Sequence, residues 1–314
     1  MTRALVFPGQ GSQSVGMGKA LSDAFPEARE VFDEVDSALG QKLSALIFGG
    51  SEDDLKLTEN AQPALMAVSM AVVRVLEKQG NLKLPHIAQY VAGHSLGEYS
   101  ALCAAGSLTL SDTAKLLRKR GKAMQEAVPV GVGAMAALIG ADIQAAKEIA
   151  EAAAQGEVCV AANDNAPGQV VISGHVAAVD RAIALAAERG FKRSIKLPVS
   201  APFHCSLMQP AADVMRRALD EVHIRPPVVP LIANVTAQAV SDPAAIIDLL
   251  VKQVTGSVRW RESVLTMKEL GVTQLVECGA GKALANMAKR IDKEIVAVSL
   301  LTPEDIEAFL KGLS

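Results

Sequence analysis

Gln89-Tyr90-Val91-Ala92-Gly93-His94-Ser95-Leu96-Gly97 runs from a short apolar stretch into two glycines that bracket a serine, and an apolar helical pattern follows. A buried strand over residues 89–92 that turns sharply into a helix is the setting of a nucleophile elbow, in which the turn lifts the serine hydroxyl into a cleft. A serine that caps a helix after a glycine turn would carry the same letters. The strand before and the helix after therefore decide the reading. The helix N-terminus also sets the Leu96 amide and the helix dipole beside the hydroxyl, where negative charge would develop on an attacked carbonyl.

Outward from this stretch, short β-rich runs alternate with long helical patterns, the order expected of an α/β fold with a mainly parallel sheet. Strands are expected at residues 4–7, 89–92, 273–277 and 295–298. Apolar spacings of three and four predict helices at 61–79, 111–127, 206–221 and 261–270. Between them the rhythm changes to strand 132–139, helix 143–154, strand 158–162, strand 170–173, helix 176–189 and strand 193–198. That is βαββαβ, a ferredoxin-like unit. Asn163, Asp164, Asn165, Pro167 and Gly168 supply turn chemistry for its central hairpin. The expected organisation is a large hydrolase-like α/β body, residues 1–127 and 201–314, with a small ferredoxin-like subdomain, residues 128–200, inserted into it. A cleft is expected where the two meet.

The loop after the first strand, Pro8-Gly9-Gln10-Gly11-Ser12-Gln13, leaves the same sheet edge as the elbow. Ser14 stands where G-x-G-x-x-G needs its third glycine, which argues against a dinucleotide site and for a backbone amide at Gln10 as a second oxyanion donor. Of the histidines at 86, 94, 175, 204 and 223, His204 has the strongest setting as a base, in Pro202-Phe203-His204 where the chain re-enters the body. No Asp or Glu stands out to orient its imidazole, so a backbone or amide carbonyl is the alternative to a Ser-His-Asp triad. Cys205 beside it points about 100 degrees away on a helix and makes no pair with it.

The 314 residues are 50% hydrophobic and 21% charged, with a net charge of -3 and only one Trp, two Tyr and seven Phe. This balance offers neither a field nor stacking platforms for nucleic acid, and it predicts an aliphatic, Ala-rich core. A mean hydropathy of +0.26 raises the question of a membrane span. The longest apolar stretch, residues 63–76, is broken by Ser69 and Arg74 and falls short of the ~18 residues a span needs. It reads as a buried core helix. Residues 4–7 are too short for a secretory signal core, so the cytoplasm is the expected compartment. Cys103, Cys159, Cys205 and Cys278 have no C-x-x-C spacing, and the histidines no H-E-x-x-H, so packed thiols and no metal are expected.

Phe7 to Gln13, Gly93 to Tyr99, Arg120-Gly121, Met124 to Pro129, Gly133 to Ala137 and His204 occur in the order seen in malonyl-CoA:acyl-carrier-protein transacylases, which this chain resembles from Ala4 to about Leu300. The resemblance continues through Gln253, Val258-Arg259-Trp260 and Glu277 to Lys282. It departs at Ala280, where proline is usual. It implies malonyl transfer from malonyl-CoA to the phosphopantetheine thiol of acyl carrier protein by a ping-pong route, supplying fatty acid elongation. Ser95 would be acylated, His204 its base oriented by the Gln253 carbonyl, and the Leu96 and Gln10 amides the oxyanion hole. Arg120 would hold the malonyl carboxylate, with Gln62, His94, Met124, Asn163 and Phe203 completing the substrate pocket. Phe203 resembles the malonyl-selective members. No cofactor beyond the coenzyme A thioester substrate is implied, and a monomer is expected. A serine hydrolase using water, and a non-catalytic docking module, are the competing readings. Arg216-Arg217, Lys282, Lys289-Arg290, and Lys192, Arg193 and Lys196 are candidate contacts for an acidic carrier protein.

Overall fold

In the computed structural model, which describes residues 1–199 and 201–313, the apolar run at residue 4 becomes strand β1 (Arg3–Phe7), buried from Ala4 onward. Strand β2 (Tyr90–Gly93) lies parallel to it with Phe7 opposite Gly93, so the loops after both strands leave one edge side by side. The chain then builds β3 (Gly133–Ile139), β4 (Cys159–Ala166), β5 (Gln169–His175) and β6 (Arg193–Lys196). It returns through β7 (Leu231–Ile232), β8 (Ala239–Val240), β9 (Gln274–Cys278) and β10 (Val296–Leu300). The large sheet has the order β10-β9-β1-β2-β7-β8, parallel except for the β7-β8 hairpin, and the small one the order β4-β5-β3-β6, antiparallel throughout. The α/β class with a mainly parallel sheet and an antiparallel βαββαβ unit is thus as the sequence led one to expect. Residue 200, where the insert was expected to end, lies outside the described residues.

Helix Thr58–Gly80 carries the long apolar stretch, and every residue from Ala61 to Val73 is buried against the parallel sheet and its neighbouring helices. Each Leu, Met or Val side chain sequestered this way contributes roughly 1.5–3 kcal/mol relative to leaving it exposed. Strand β3 is buried on both faces, and the alternation of its residues shows why. Ala134, Ala136 and Leu138 pack with Ile149 and Val179 of helices Ile143–Ala154 and Val176–Glu188, whereas Met135 and Ala137 join the core of the body. The period of two therefore puts one face of the small sheet on its own helices and the other on the large unit.

One expectation is corrected. Asn163, Asp164 and Asn165 do not form the hairpin turn; they lie within β4 and are buried, and the turn falls at Pro167-Gly168, with Gly168 at φ +70°. The side chains of Asp164 and Asn165 are tolerated there because each finds a partner on the body. Asp164 is ion-paired with Arg261 at 2.8 Å, and Asn165 Oδ1 meets His94 Nε2 at 2.8 Å. Asn163 sits in a backbone bridge to Val258, where the Asp164 amide donates to the Val258 carbonyl and the Val258 amide to Ala162. Two register shifts in β4 accommodate these crossings.

All four cysteines are buried and free. Among the described residues no helix is long and apolar enough to cross a membrane, and no group of three metal-ligating side chains occurs.

Candidate active site

The two glycines of the elbow are required by crowding rather than by unusual torsions. A Cβ on Gly93 would lie 1.9 Å from the carbonyl of Gly97, and one on Gly97 would lie 2.2 Å from the Phe7 carbonyl oxygen. Helix Gly97–Ala104 can therefore start directly against the ends of β1 and β2 only with glycine at both positions. The strained residue is the one between them: Ser95 has φ +53°, a region that non-glycine residues enter at a cost. Gly9 serves the neighbouring loop in the same way, since a Cβ there would lie 2.8 Å from the His94 carbonyl oxygen.

His204 is buried, also at positive φ (+59°), and its Nε2 lies 2.9 Å from Ser95 Oγ. Its Nδ1 is 2.9 Å from the Gln253 carbonyl oxygen. That oxygen only accepts, so Nδ1 carries the proton and Nε2 presents its lone pair to the serine hydroxyl. Gln253 can offer its carbonyl because it lies in the last turn of helix Pro243–Thr255, where carbonyls have no intrahelical donor. Burial first, and then the Arg120 charge, push the His204 pKa down to about 3, so the ring is neutral at physiological pH.

Arg120 is 1% exposed, on helix Leu110–Glu126. The following Gly121 packs its Cα against the backbone of Thr58 and Glu59, where a Cβ would lie 2.5 Å from the Thr58 oxygen. This close approach brings Gln62 within reach, and Arg120 Nη1 donates to Gln62 Oε1 at 2.7 Å. Nη2 donates to Gln253 Oε1 at 2.8 Å and to Ser95 Oγ at 3.1 Å. The Tyr99 ring lies 5.6 Å from the guanidinium carbon. No carboxylate of the described residues comes within ion-pair distance, and Arg120 Nε has no partner. A buried guanidinium satisfied only by neutral oxygens retains its charge for an incoming anion.

Behind these groups is a polar layer of which the sequence reading names only Gln253, and that for its main-chain carbonyl. Gln253 Nε2 donates to Glu98 Oε2 at 2.7 Å and to the Ser95 carbonyl at 2.9 Å. Asn234 accepts from the Ser95 amide at 2.8 Å and donates to the Gly93 carbonyl at 2.7 Å. Glu98 is fully buried, and burial raises its pKa to about 7 against the pull of Gln253, Asn234 and Arg120. Its signal was its place three residues after the serine. Asn234 had none, being 139 residues away in sequence.

The cleft in front of the serine has a volume of about 440 Å³. Gln10, Gln62, His94, Ser95, Leu96, Arg120, Met124, Asn163, Phe203 and His204 all line it; Gln253 stands behind it. Among the described residues the Gln10 and Leu96 amides make no hydrogen bond to protein. Met135, Val171, Leu197 and Val199 add apolar wall from the small unit and the return segment. A more open hollow of about 720 Å³ beside helix Pro303–Lys311 has Glu307 and Lys311 as its charged groups, paired with each other, and offers no nucleophile.

The acyl transferase domain family matches residues 4–299. The chain is 44% identical over 311 residues to the malonyl CoA-acyl carrier protein transacylase of Bacillus subtilis, covering 99% of this chain and 96% of that protein. The crystal structure of acyl-carrier-protein-S-malonyltransferase from Bartonella henselae is similar to it with a TM-score of 0.97 and 56% identity, over 100% of this chain and 99% of that one. A malonyl-transacylase solved in complex with a type II PKS acyl-carrier protein is similar with a TM-score of 0.96 and 40% identity, over 99% of this chain and 100% of that one.

Proposed function

The chain belongs to the malonyl CoA-acyl carrier protein transacylase family, and from that premise we propose how its cleft carries out the transfer of malonyl from malonyl-CoA to acyl carrier protein. Ser95 Oγ attacks the thioester carbonyl as its proton passes to His204 Nε2. The tetrahedral oxyanion is held by the Leu96 and Gln10 amides, each donor being worth ~2.7–4 kcal/mol in such sites. Coenzyme A leaves as the thiol, taking the proton back from Nε2. The phosphopantetheine thiol then gives its proton to Nε2 and attacks the malonyl-serine ester, and as the bond from Oγ to the acyl carbon breaks Ser95 Oγ takes that proton back from Nε2.

The observation that carries this reading is Arg120: a buried cation, 3.1 Å from the nucleophile, with no carboxylate partner among the described residues. A malonyl carboxylate supplies the partner; an acetyl group or a simple ester would leave the guanidinium unpaired. The hydrolase reading gives that cation no role. Incubation with malonyl-CoA should yield a protein heavier by one malonyl group, with the adduct on Ser95 and absent from Ser95→Ala. No adduct, or an adduct elsewhere, refutes it.

The carrier protein approaches over helix Ala283–Ile291, whose Ala283, Leu284 and Met287 line the cleft and whose exposed Lys282 and Lys289 flank it. Of the other basic candidates, Arg216 is paired with Asp248 and Lys196 with Asp180. Lys282→Glu with Lys289→Glu should raise KM for the carrier protein and leave free pantetheine as acceptor unaffected. An equal effect on both acceptors removes this docking face.

A further inference from the structure

Ser95 holds a left-handed backbone conformation that its side chain does not favour, so the surrounding structure must over-determine it. Asn234 is the group that touches both ends of the turn. Its Oδ1 accepts from the Ser95 amide and its Nδ2 donates to the Gly93 carbonyl. Register explains how a residue so distant in sequence arrives there: β7 runs parallel to β2 with Ile232 opposite Ala92, so the chain two residues on lies beside His94. The Asn234 backbone is itself fixed, its amide donating to Glu98 Oε2 at 3.2 Å and its carbonyl accepting from Arg259 at 3.0 Å. Its side chain is fully buried and does not line the cleft, so it meets no substrate.

We infer that Asn234 is a positioning residue for acyl transfer: one planar amide clasps the Ser95 amide and the Gly93 carbonyl and so keeps Ser95 Oγ at 2.9 Å from His204 Nε2. Only an amide offers an acceptor and a donor in one plane at that length; serine is too short, leucine has neither group, and aspartate brings an acceptor against the Gly93 carbonyl. The inference rests on Ser95 being the nucleophile of the reading above.

The test measures labelling of Ser95 by a small alkyl fluorophosphonate, which reports the reactivity of Oγ without calling on carboxylate recognition by Arg120. Displacement of a reacting atom by ~1 Å costs about 10²-fold, so Asn234→Ala should slow labelling by about that factor. The kcat for malonyl transfer should fall in parallel, with KM and the malonyl-to-acetyl rate ratio little changed. Asn234→Asp, which keeps an acceptor for the Ser95 amide, should lie between. Ser263→Ala, which removes an equally buried hydroxyl bonded to the Arg259 carbonyl, should lower Tm without slowing labelling. Native labelling rates in either folded Asn234 variant, or equal slowing by Ser263→Ala, overturn the inference. If neither Asn234 variant folds, a purely structural role accounts for the residue and the inference fails. Absence of Ser95 labelling in the native protein refutes instead the assignment of the nucleophile.

Discussion

Replacing Arg120 by alanine removes a buried guanidinium that donates to Gln62, Gln253 and Ser95 and faces the cleft. If it forks onto the malonyl carboxylate with two charge-assisted hydrogen bonds, each nets ~1.5–3 kcal/mol, and at ~1.4 kcal/mol per decade malonylation of Ser95 should fall by about 10²- to 10⁴-fold. Acetylation should respond differently. In the native protein an acetyl group leaves the cation buried and unpaired, and in Arg120→Ala that penalty is gone. Some of the loss must be common to both substrates, because Arg120 also touches the nucleophile, so the ratio of the two rates isolates the carboxylate. The assay is rapid quench and intact-mass measurement of the Ser95 adduct with malonyl-, acetyl- and methylmalonyl-CoA in parallel, on proteins matched for Tm. The malonyl-to-acetyl ratio should collapse by at least about 10²-fold, the lower end of the same hydrogen-bond estimate. Equal loss for both substrates would refute carboxylate recognition by Arg120.

The pH profile of kcat/KM for malonyl-CoA should show no break from His204 between pH 5 and 8, because its pKa lies near 3. Glu98, raised to about 7, should supply one: its carboxylate forms as pH rises through that value and, relayed by Gln253, competes with the substrate for Arg120, so KM increases above neutrality. Glu98→Gln should flatten the profile, and a break that survives the substitution would assign it elsewhere. His204 also titrates with folding. Its folded pKa lies below the ordinary 6.5, the unfolded chain binds the extra proton, and stability should fall as pH drops from about 6.5 toward 3, a loss that His204→Gln should reduce in acid-melting curves. Gly97→Ala should destabilise by at least ~1–3 kcal/mol, the usual range for overpacking, since its Cβ would strike the Phe7 carbonyl; an unchanged Tm would contradict the crowding. Arg261→Met should cost ~3–5 kcal/mol by stranding the buried Asp164, and Arg261→Met with Asp164→Leu should recover most of it; a double variant no more stable than the single would deny the pair.

The elbow, the Gly9-Gln10 loop and the two-sheet organisation were legible because their signals are local. Two glycines around a serine, and a change from period 3.6 to period two, can be read within a window of a few residues. Asn163, Asp164 and Asn165 were misread for the same reason. Within their window they look like a turn, and what keeps them in a buried strand is Arg261, His94 and Val258, roughly 70 to 100 positions away. Strands β7 and β8, two residues each, carry too few positions to show any period. Asn234 lies two residues after β7, so the clasp behind the nucleophile was hidden with the strand that delivers it.

The arrangement of charge around Arg120 bears on why selectivity and catalysis would be joined in this cleft. A direct ion pair between Arg120 and Glu98 would satisfy both and leave little for a substrate. Instead the Gln253 amide stands between them, its oxygen on the guanidinium and its nitrogen on the carboxyl, so the cation is held without being neutralised. That unpaired charge adds to burial, the larger cause, in depressing the basicity of His204. A bound malonyl carboxylate cancels part of it, and the imidazolium that must form as Ser95 attacks becomes easier to reach. An acetyl group cancels nothing. The same guanidinium would then discriminate twice, once by leaving a cation unpaired around the wrong acyl group and once by withholding an effective base from it.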